Sequence, residues 1–257
     1  MGIHPTAIVH PGAGLAKDVD VGPYAIIGEH VRIRRGTTVG PYTVIDGWTE
    51  IGEDCRIFSS CSIGTPPQDL KYGGEQTTVR IGDRNIIREF CTVHRGTVKG
   101  GGQTVVGADN FLMAYVHIAH DCRIGNHIIM ANAATLGGHI EVGDYAVIGG
   151  LAGIHQFVRI GPYAMVGACS AVSQDVPPYL SAVGNRARLY GLNSVGLKRH
   201  GFDPERLRQI KRAYHIFFRS GLTLKESIKK AQEELGTSRD VEVMVDFINQ
   251  SKRGVCR

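Results

Sequence analysis

Every sixth residue of the chain is aliphatic over most of its length. From Ile3 the series runs through Val9, Leu15, Val21, Ile27, Ile33, Val39, Ile45, Ile51 and Ile57 to Ile63 without exception. It resumes at Ile81, Ile87 and Val93, then shifts by one residue and runs from Val106 to Val172. Glycine often follows the aliphatic residue, as at Gly28, Gly40, Gly107 and Gly125, and the residue two before it is usually small or β-branched. Neither the period of an amphipathic helix nor the simple alternation of a strand fits this pattern, whereas a hexapeptide β-helix does. In such a prism short strands wind around a core, the aliphatic residue points inward, and glycine eases the bends. Three hexads close one triangular coil, so residues 18 apart stack on adjacent rungs roughly 4.8 Å from each other.

Two stretches break the period. TPPQDLKYGGEQTT (65–78) has no aliphatic residue at the expected steps, and RGTVKGGGQT (95–104) causes the shift of one. Both predict loops leaving the prism, and loops on a rigid scaffold are where binding residues concentrate. Past about residue 176 the period ends, and VPPY (176–179) punctuates it. Asp203-Pro204 predicts a helix start, a capping residue followed by proline in the first turn. Leu207, Ile210, Tyr214 and Phe217 then mark one face that Gly221 ends; Leu224, Ile228 and Leu235 mark a second helix, and 240–250 a third. The expectation is a mainly β fold, with a β-helix over residues 1–190 and a small α-helical domain over 191–257.

Composition alters this picture little. The 34 glycines fit frequent tight bends. No leader-like N-terminus and no run of ~18 apolar residues is present, so the expected location is cytoplasmic, without a membrane span. Four of the six cysteines (Cys55, Cys61, Cys91, Cys122) fall on the small inward position, which predicts reduced packing thiols; Cys169 and Cys256 complete the set. The net charge of +5 is uneven: from residue 198 onward 14 Lys and Arg face 8 Asp and Glu. That basic quarter suits an acidic partner or phosphate groups.

Stacking residues 18 apart gathers chemistry at one edge. His120 lies with Gly138 and Gln156, Asp121 with His139, and Gly137 with His155, while His117 sits three positions back on the first of these rungs, nearer the adjoining bend. A carboxylate able to orient an imidazole is what general-base catalysis requires, and bare glycine N–H groups can hold a developing oxyanion. A solvated corner residue is the plain reading of any one histidine, but it does not account for convergence from three successive coils. His4, His10, His30, His127, His200 and His215 have no such company and read as surface or packing residues.

The segments QDLKYGGE (68–75), HRGT with GGG (94–102), HIAHDC (117–122), GGH (137–139), HQF (155–157), GNRA (184–187) and GLKRHGF (196–202) extend the pattern over essentially the whole chain. With the hexads they resemble the acyl-[acyl-carrier-protein]–UDP-N-acetylglucosamine O-acyltransferase family of lipid A biosynthesis. The resemblance implies a left-handed parallel β-helix in a homotrimer, with active sites between subunits. It implies transfer of an (R)-3-hydroxyacyl chain from acyl carrier protein to the 3-hydroxyl of UDP-N-acetylglucosamine, with no metal, cofactor, nucleic acid or covalent enzyme intermediate. By position, His120 is then the general base, Asp121 its support and Gly138 the oxyanion donor. Asp69, Lys71, His117 and His139 match residues around the glucosamine and acyl head, and His155 and Gln156 line the cleft. Asn193, Arg199 and Arg186 match the nucleotide and phosphate region, and Ala168 the position that limits acyl length. Val195 and His200 depart from that pattern, standing where a glutamate and a second arginine would be.

Other readings use the same residues. A trimeric zinc enzyme resembling the γ-type carbonic anhydrases would employ His94, His117 and His120, but it leaves Asp121, the diglycine and the arginine-bearing tail without a role. A scaffold without chemistry leaves the clustered edge unexplained. A sibling family that N-acylates the glucosamine normally carries an extra N-terminal domain, and a 3-amino acceptor in place of the 3-hydroxyl would change few residues.

Overall fold

The structure, a computed structural model, describes residues 2–236 and 238–257. The hexads build three parallel sheets that form the faces of a left-handed β-helix. The first face has nine strands from Ile8–Val9 to Ala171–Val172, and the second eight from Gly14–Leu15 to Arg159–Ile160. The third runs from Asp20–Val21 to Met165–Val166 and is extended by two further strands, ten in all. Most strands are two residues long, one side chain out and one in, so the inward aliphatic residues form a continuous column: Ile27, Ile63, Leu112, Leu136 and Val166 are all within 1% of complete burial. Ile3, at the start of the series, is 53% exposed because no coil lies beneath it.

Register confirms the stacking rule and explains its two breaks. Ile26 pairs with Val44, and His117 with Thr135, both 18 apart. Ser62 pairs with Thr92 and Thr92 with His117, steps of 30 and 25. The first insertion therefore adds two hexads and keeps the phase, while the second adds seven residues and shifts it by one. Both leave the prism at the same edge, between strands Ser62–Thr65 and Thr78–Ile81 and between Thr92–His94 and Gln103–Val106. The chain outside the strands at this edge spans residues 66–77 and 95–102.

The cysteines at the small inward position are buried, and all six are free thiols; Cys169 is exposed. The corners repeat one backbone solution, a left-handed residue, at 18 non-glycine positions. Glycine is required where rungs approach closely: a Cβ on Gly107 would lie 2.4 Å from the Gly125 carbonyl oxygen.

Beyond residue 176 the chain differs from expectation. Strands Leu180–Val183 and Arg188–Leu192 form an antiparallel hairpin that closes the third face, and a short helix α1 (Ser194–Arg199) follows. Three helices then appear where sequence places them: α2 (Pro204–Phe218), capped by the Asp203 side chain, α3 (Leu224–Leu235), with a Thr223–Glu226 capping box, and α4 (Arg239–Asn249). A bidentate Arg206–Asp240 pair, 2.9 Å at each contact, ties α2 to α4. The tail returns to the prism, where the Asp175 N–H donates to the Gly254 carbonyl, the Asp175 carbonyl accepts from the Cys256 N–H, and Ser251 donates to the Asp175 carboxylate at 2.7 Å.

Candidate active site

The edge from which both loops depart carries His120, Asp121 and His139. His120 Nδ1 lies 2.8 Å from Asp121 Oδ2. Asp121 is fully buried at its side chain, whereas His120 keeps 14% of its side-chain surface open. The second loop folds over the carboxylate and satisfies it: Thr97 donates its N–H to Oδ1 at 2.8 Å and its hydroxyl to Oδ2 at 2.6 Å. Asp121 N–H in turn donates to Thr104 Oγ1 at 2.8 Å. With the carboxylate as acceptor, His120 Nδ1 is the donor, and Nε2 is left as the basic nitrogen.

Gly138 sits over that imidazole. A Cβ there would lie 2.6 Å from His120 Cε1, so any side chain would displace the ring. Its N–H has no backbone partner among the described residues. His139 stands edge-on to His120 with centroids 5.2 Å apart, stacks on Phe157 at 4.4 Å, and approaches Asp121 at 3.7 Å. Burial lowers the proton affinity of His139 against the opposing pull of Asp121 and Asp69. Burial likewise lowers His117, with the nearby His120 adding to it. His94, buried against His117, is lowered to about 4.

A trough of about 730 Å³ opens beside the dyad, lined among others by Gln68, His117, His120, Gly138, His155, Gln156 and Arg186. Its floor is the first face of the prism. His117 lies on that flat face in strand His117–Ile118, held by Thr92 Oγ1 at 2.7 Å, and not near a bend as its spacing suggested. Asp69 accepts from the Lys71 N–H at 2.9 Å and acts electrostatically on His139, while the Lys71 side chain is exposed. Within one chain, Asn193, Arg199 and Ala168 stand apart from the trough. Asn193 caps α1 and donates to the Tyr163 carbonyl at 3.0 Å; Arg199 lies in the last turn of α1; Ala168 is at the opposite edge of the first face.

Sequence reasoning did not find Thr97, Thr104 and Gln68. Thr97 acts through the carboxylate, and its only signal is the RGT segment inside a loop without period; Thr104 holds the Asp121 N–H from strand Gln103–Val106, at the small inward position two residues before Val106. Nor did it find the contact that joins the two loops, in which Arg95 donates to the Tyr72 hydroxyl at 3.0 Å and to the Gly64 carbonyl at 2.8 Å. Among the described residues, the trio whose ligand atoms all fall within 4.8 Å is His120, Asp121 and His139, not His94, His117 and His120. Both Asp121 oxygens in that trio already accept hydrogen bonds, which favours a dyad over a metal ligand set.

Fold and site together define a hexapeptide-repeat β-helix with an imidazole–carboxylate pair at a loop-bearing edge, and known proteins similar to the chain are hexapeptide-repeat acyltransferases. The bacterial transferase hexapeptide family (six repeats) matches residues 103–138, and Udp N-acetylglucosamine O-acyltransferase, domain 2, matches 175–256. The acyl-[acyl-carrier-protein]–UDP-N-acetylglucosamine O-acyltransferase of Thermodesulfovibrio yellowstonii is 56% identical over 99% of both chains, and that of Syntrophobacter fumaroxidans 52% over the whole of both. The structure of LpxA from Acinetobacter baumannii, 43% identical, superposes with a TM-score of 0.97 over 99% of each chain. The chain belongs to the acyl-[acyl-carrier-protein]–UDP-N-acetylglucosamine O-acyltransferase family.

Proposed function

We propose that this protein transfers a 3-hydroxyacyl chain from acyl carrier protein to the 3-hydroxyl of UDP-N-acetylglucosamine, the reaction for which its relatives are named, as the first step of lipid A synthesis in the cytoplasm. The observation that carries the mechanism is the His120–Asp121 pair beneath an unobstructed Gly138. His120 Nε2 takes the proton of the sugar hydroxyl while Asp121 stabilises the imidazolium. The oxygen attacks the thioester carbonyl, and the oxyanion that forms is held by the Gly138 N–H. Collapse breaks the C–S bond, and the departing thiolate receives the proton from His120. The neutral state favoured by burial at His117 and His139 suits them as hydrogen-bond partners for sugar and acyl head, with Asp69, Lys71, His155 and Gln156 completing the contacts.

Asn193 and Arg199 serve the nucleotide from a neighbouring subunit of a homotrimer, which accounts for their distance from the trough of their own chain. In this arrangement the β-helix of residues 1–190 holds the chemistry and the helical residues 191–257 approach the carrier. Ala168, exposed at an edge, meets the acyl chain, so Ala168→Met should shift preference toward shorter chains.

The test incubates the purified protein with UDP-N-acetylglucosamine and carrier proteins bearing several 3-hydroxyacyl lengths, and reads the nucleotide sugar by mass spectrometry. A single added acyl group supports the reading; an unmodified sugar with every donor contradicts it.

A further inference from the structure

To orient His120, the carboxylate of Asp121 has to keep one oxygen on Nδ1, and its own torsion does not ensure this, because the last torsion of an aspartate is broad and two-fold. The loop of residues 95–102 supplies the constraint. Thr97 donates from two groups to the two oxygens, its N–H to Oδ1 at 2.8 Å and its hydroxyl to Oδ2 at 2.6 Å. Oδ2 is also the oxygen that lies 2.8 Å from His120 Nδ1. A carboxylate held at both oxygens by one residue cannot turn without breaking both bonds. The hydroxyl is itself oriented: Thr97 Oγ1 accepts from the Gly100 N–H at 3.2 Å, and because a carboxylate only accepts, the hydroxyl hydrogen points to Oδ2. Thr97 and Asp121 are 6% and 5% exposed, so both bonds are shielded from water. Glycine lets the loop come this close, since a Cβ on Gly96 would lie 2.8 Å from Asp121 Oδ1 and one on Gly100 would collide with the carboxylate. The loop is seated from below by the buried Arg95, which donates to the Gly64 carbonyl and the Tyr72 hydroxyl, and the Thr97 carbonyl accepts from the Gly102 N–H at 2.8 Å.

We propose that Thr97 is a positioning residue for acyl transfer: its two-point grip fixes the plane of the Asp121 carboxylate, and through it the His120 ring and the direction of Nε2. The proposal rests on the acyl-transfer reading above. Thr97 does not line the trough, so it acts through Asp121 and not on a substrate. Positive charge develops on the imidazole only as the sugar hydroxyl gives up its proton, and a carboxylate already fixed in place stabilises that charge without reorganising. Loss of the grip therefore falls on the rate of the chemical step and leaves substrate binding unchanged. Thr104 has a different part. It holds the Asp121 N–H, which fixes the backbone of the corner and leaves the carboxylate free to turn.

The test measures single-turnover acyl transfer in Thr97→Val, which keeps the side-chain shape and the backbone N–H but removes the hydroxyl, and in Thr97→Ser, which keeps both donors. Thr97→Ala serves as a second deletion of the hydroxyl should the Val variant not fold. The deletion variant should be slower by roughly 10–100-fold, the worth of a hydrogen bond to a charged group, with the half-saturating concentrations of both substrates unchanged. The Ser variant should recover most of the rate. A deletion variant that reacts at the wild-type rate overturns the proposal, as does a loss confined to KM or a Ser variant no faster than the deletion. A second readout needs no turnover. In protein carrying nitrogen-15-labelled histidine, the His120 Nδ1–H, identified by its absence from His120→Ala, should give a downfield, slowly exchanging proton signal in the wild type. That signal should broaden or vanish in the deletion variant and return in the Ser variant; a signal unaltered by the deletion overturns the proposal. A wild type that transfers from no donor removes the functional reading instead, and the imidazole signal then decides the grip by the same two outcomes.

Discussion

Two edges of the prism use the same backbone to opposite ends. At the edge after the second face, Asn85 and Asn110 turn inward at the small position and are consumed by structure. Asn85 donates to the Gly82 and Gly107 carbonyls at 2.8 and 2.7 Å. Asn110 donates to the Gly125 carbonyl at 3.0 Å and accepts from the Ile128 N–H at 2.8 Å. At the loop-bearing edge the same inward position holds Cys122 and Ile140, and the polar side chains of His120 and His139 face outward. Even glycine differs. A Cβ on Gly107 would strike backbone, whereas a Cβ on Gly138 would strike the His120 ring. Left-handed corner residues occur at both edges, Asp109 and His127 at one, Asp121 and His139 at the other, so that conformation belongs to the fold and carries no functional signal. Function is written in which polar groups the fold leaves unspent.

The comparison can be broken by substitutions whose effects it assigns to activity or to stability. Asp121→Asn should lower kcat about 10³-fold, because the carboxamide no longer fixes the tautomer that leaves Nε2 basic, while the melting temperature changes little. Gly138→Ala should lower kcat roughly 10²-fold by displacing the imidazole and covering the N–H. Its counterpart Gly107→Ala should instead lower stability and spare the kcat of the folded protein, so equal effects of the two on kcat would dissolve the contrast. Asn110→Ala leaves buried backbone groups without partners and should cost about 2–3 kcal/mol in denaturant unfolding, again with kcat retained.

The smallest effect concerns His94. Its folded value of about 4 lies below the ordinary histidine value of ~6.5, so the unfolded chain takes up a proton that the folded chain does not. Stability is therefore full above ~6.5 and declines as pH falls toward 4, by about 2 kcal/mol at most between pH 6.5 and 5. Urea unfolding across that interval should show the slope, and His94→Gln should flatten it.

The prism was legible because its inward residues repeat in step with the coil, and the same arithmetic placed His120 with Gly138 and Asp121 with His139. What escaped lies where chain path and period part. Thr97 reaches Asp121 from a loop whose route no spacing encodes. The hairpin of Leu180–Val183 and Arg188–Leu192 was hidden because its strands are short and antiparallel, with a register shift at Ser181/Ala182. His117 was displaced from the bend to the flat face, since a strand of two residues leaves one residue between bend and face. Asn193 and Arg199 show a different limit: both lie past the end of the period and apart from the trough of their own chain, so no spacing within the repeat relates them to His120.

The central claim is that His120, oriented by Asp121, is the base for acyl transfer to the sugar nucleotide. It is tested most directly by single-turnover acyl transfer from a 3-hydroxyacyl carrier protein to UDP-N-acetylglucosamine, with wild type and His120→Ala compared at matched fold and thermal stability. The account predicts product in the wild type and a rate lower by roughly 10²–10⁴ in the variant; a variant that transfers the acyl chain at the wild-type rate would contradict it.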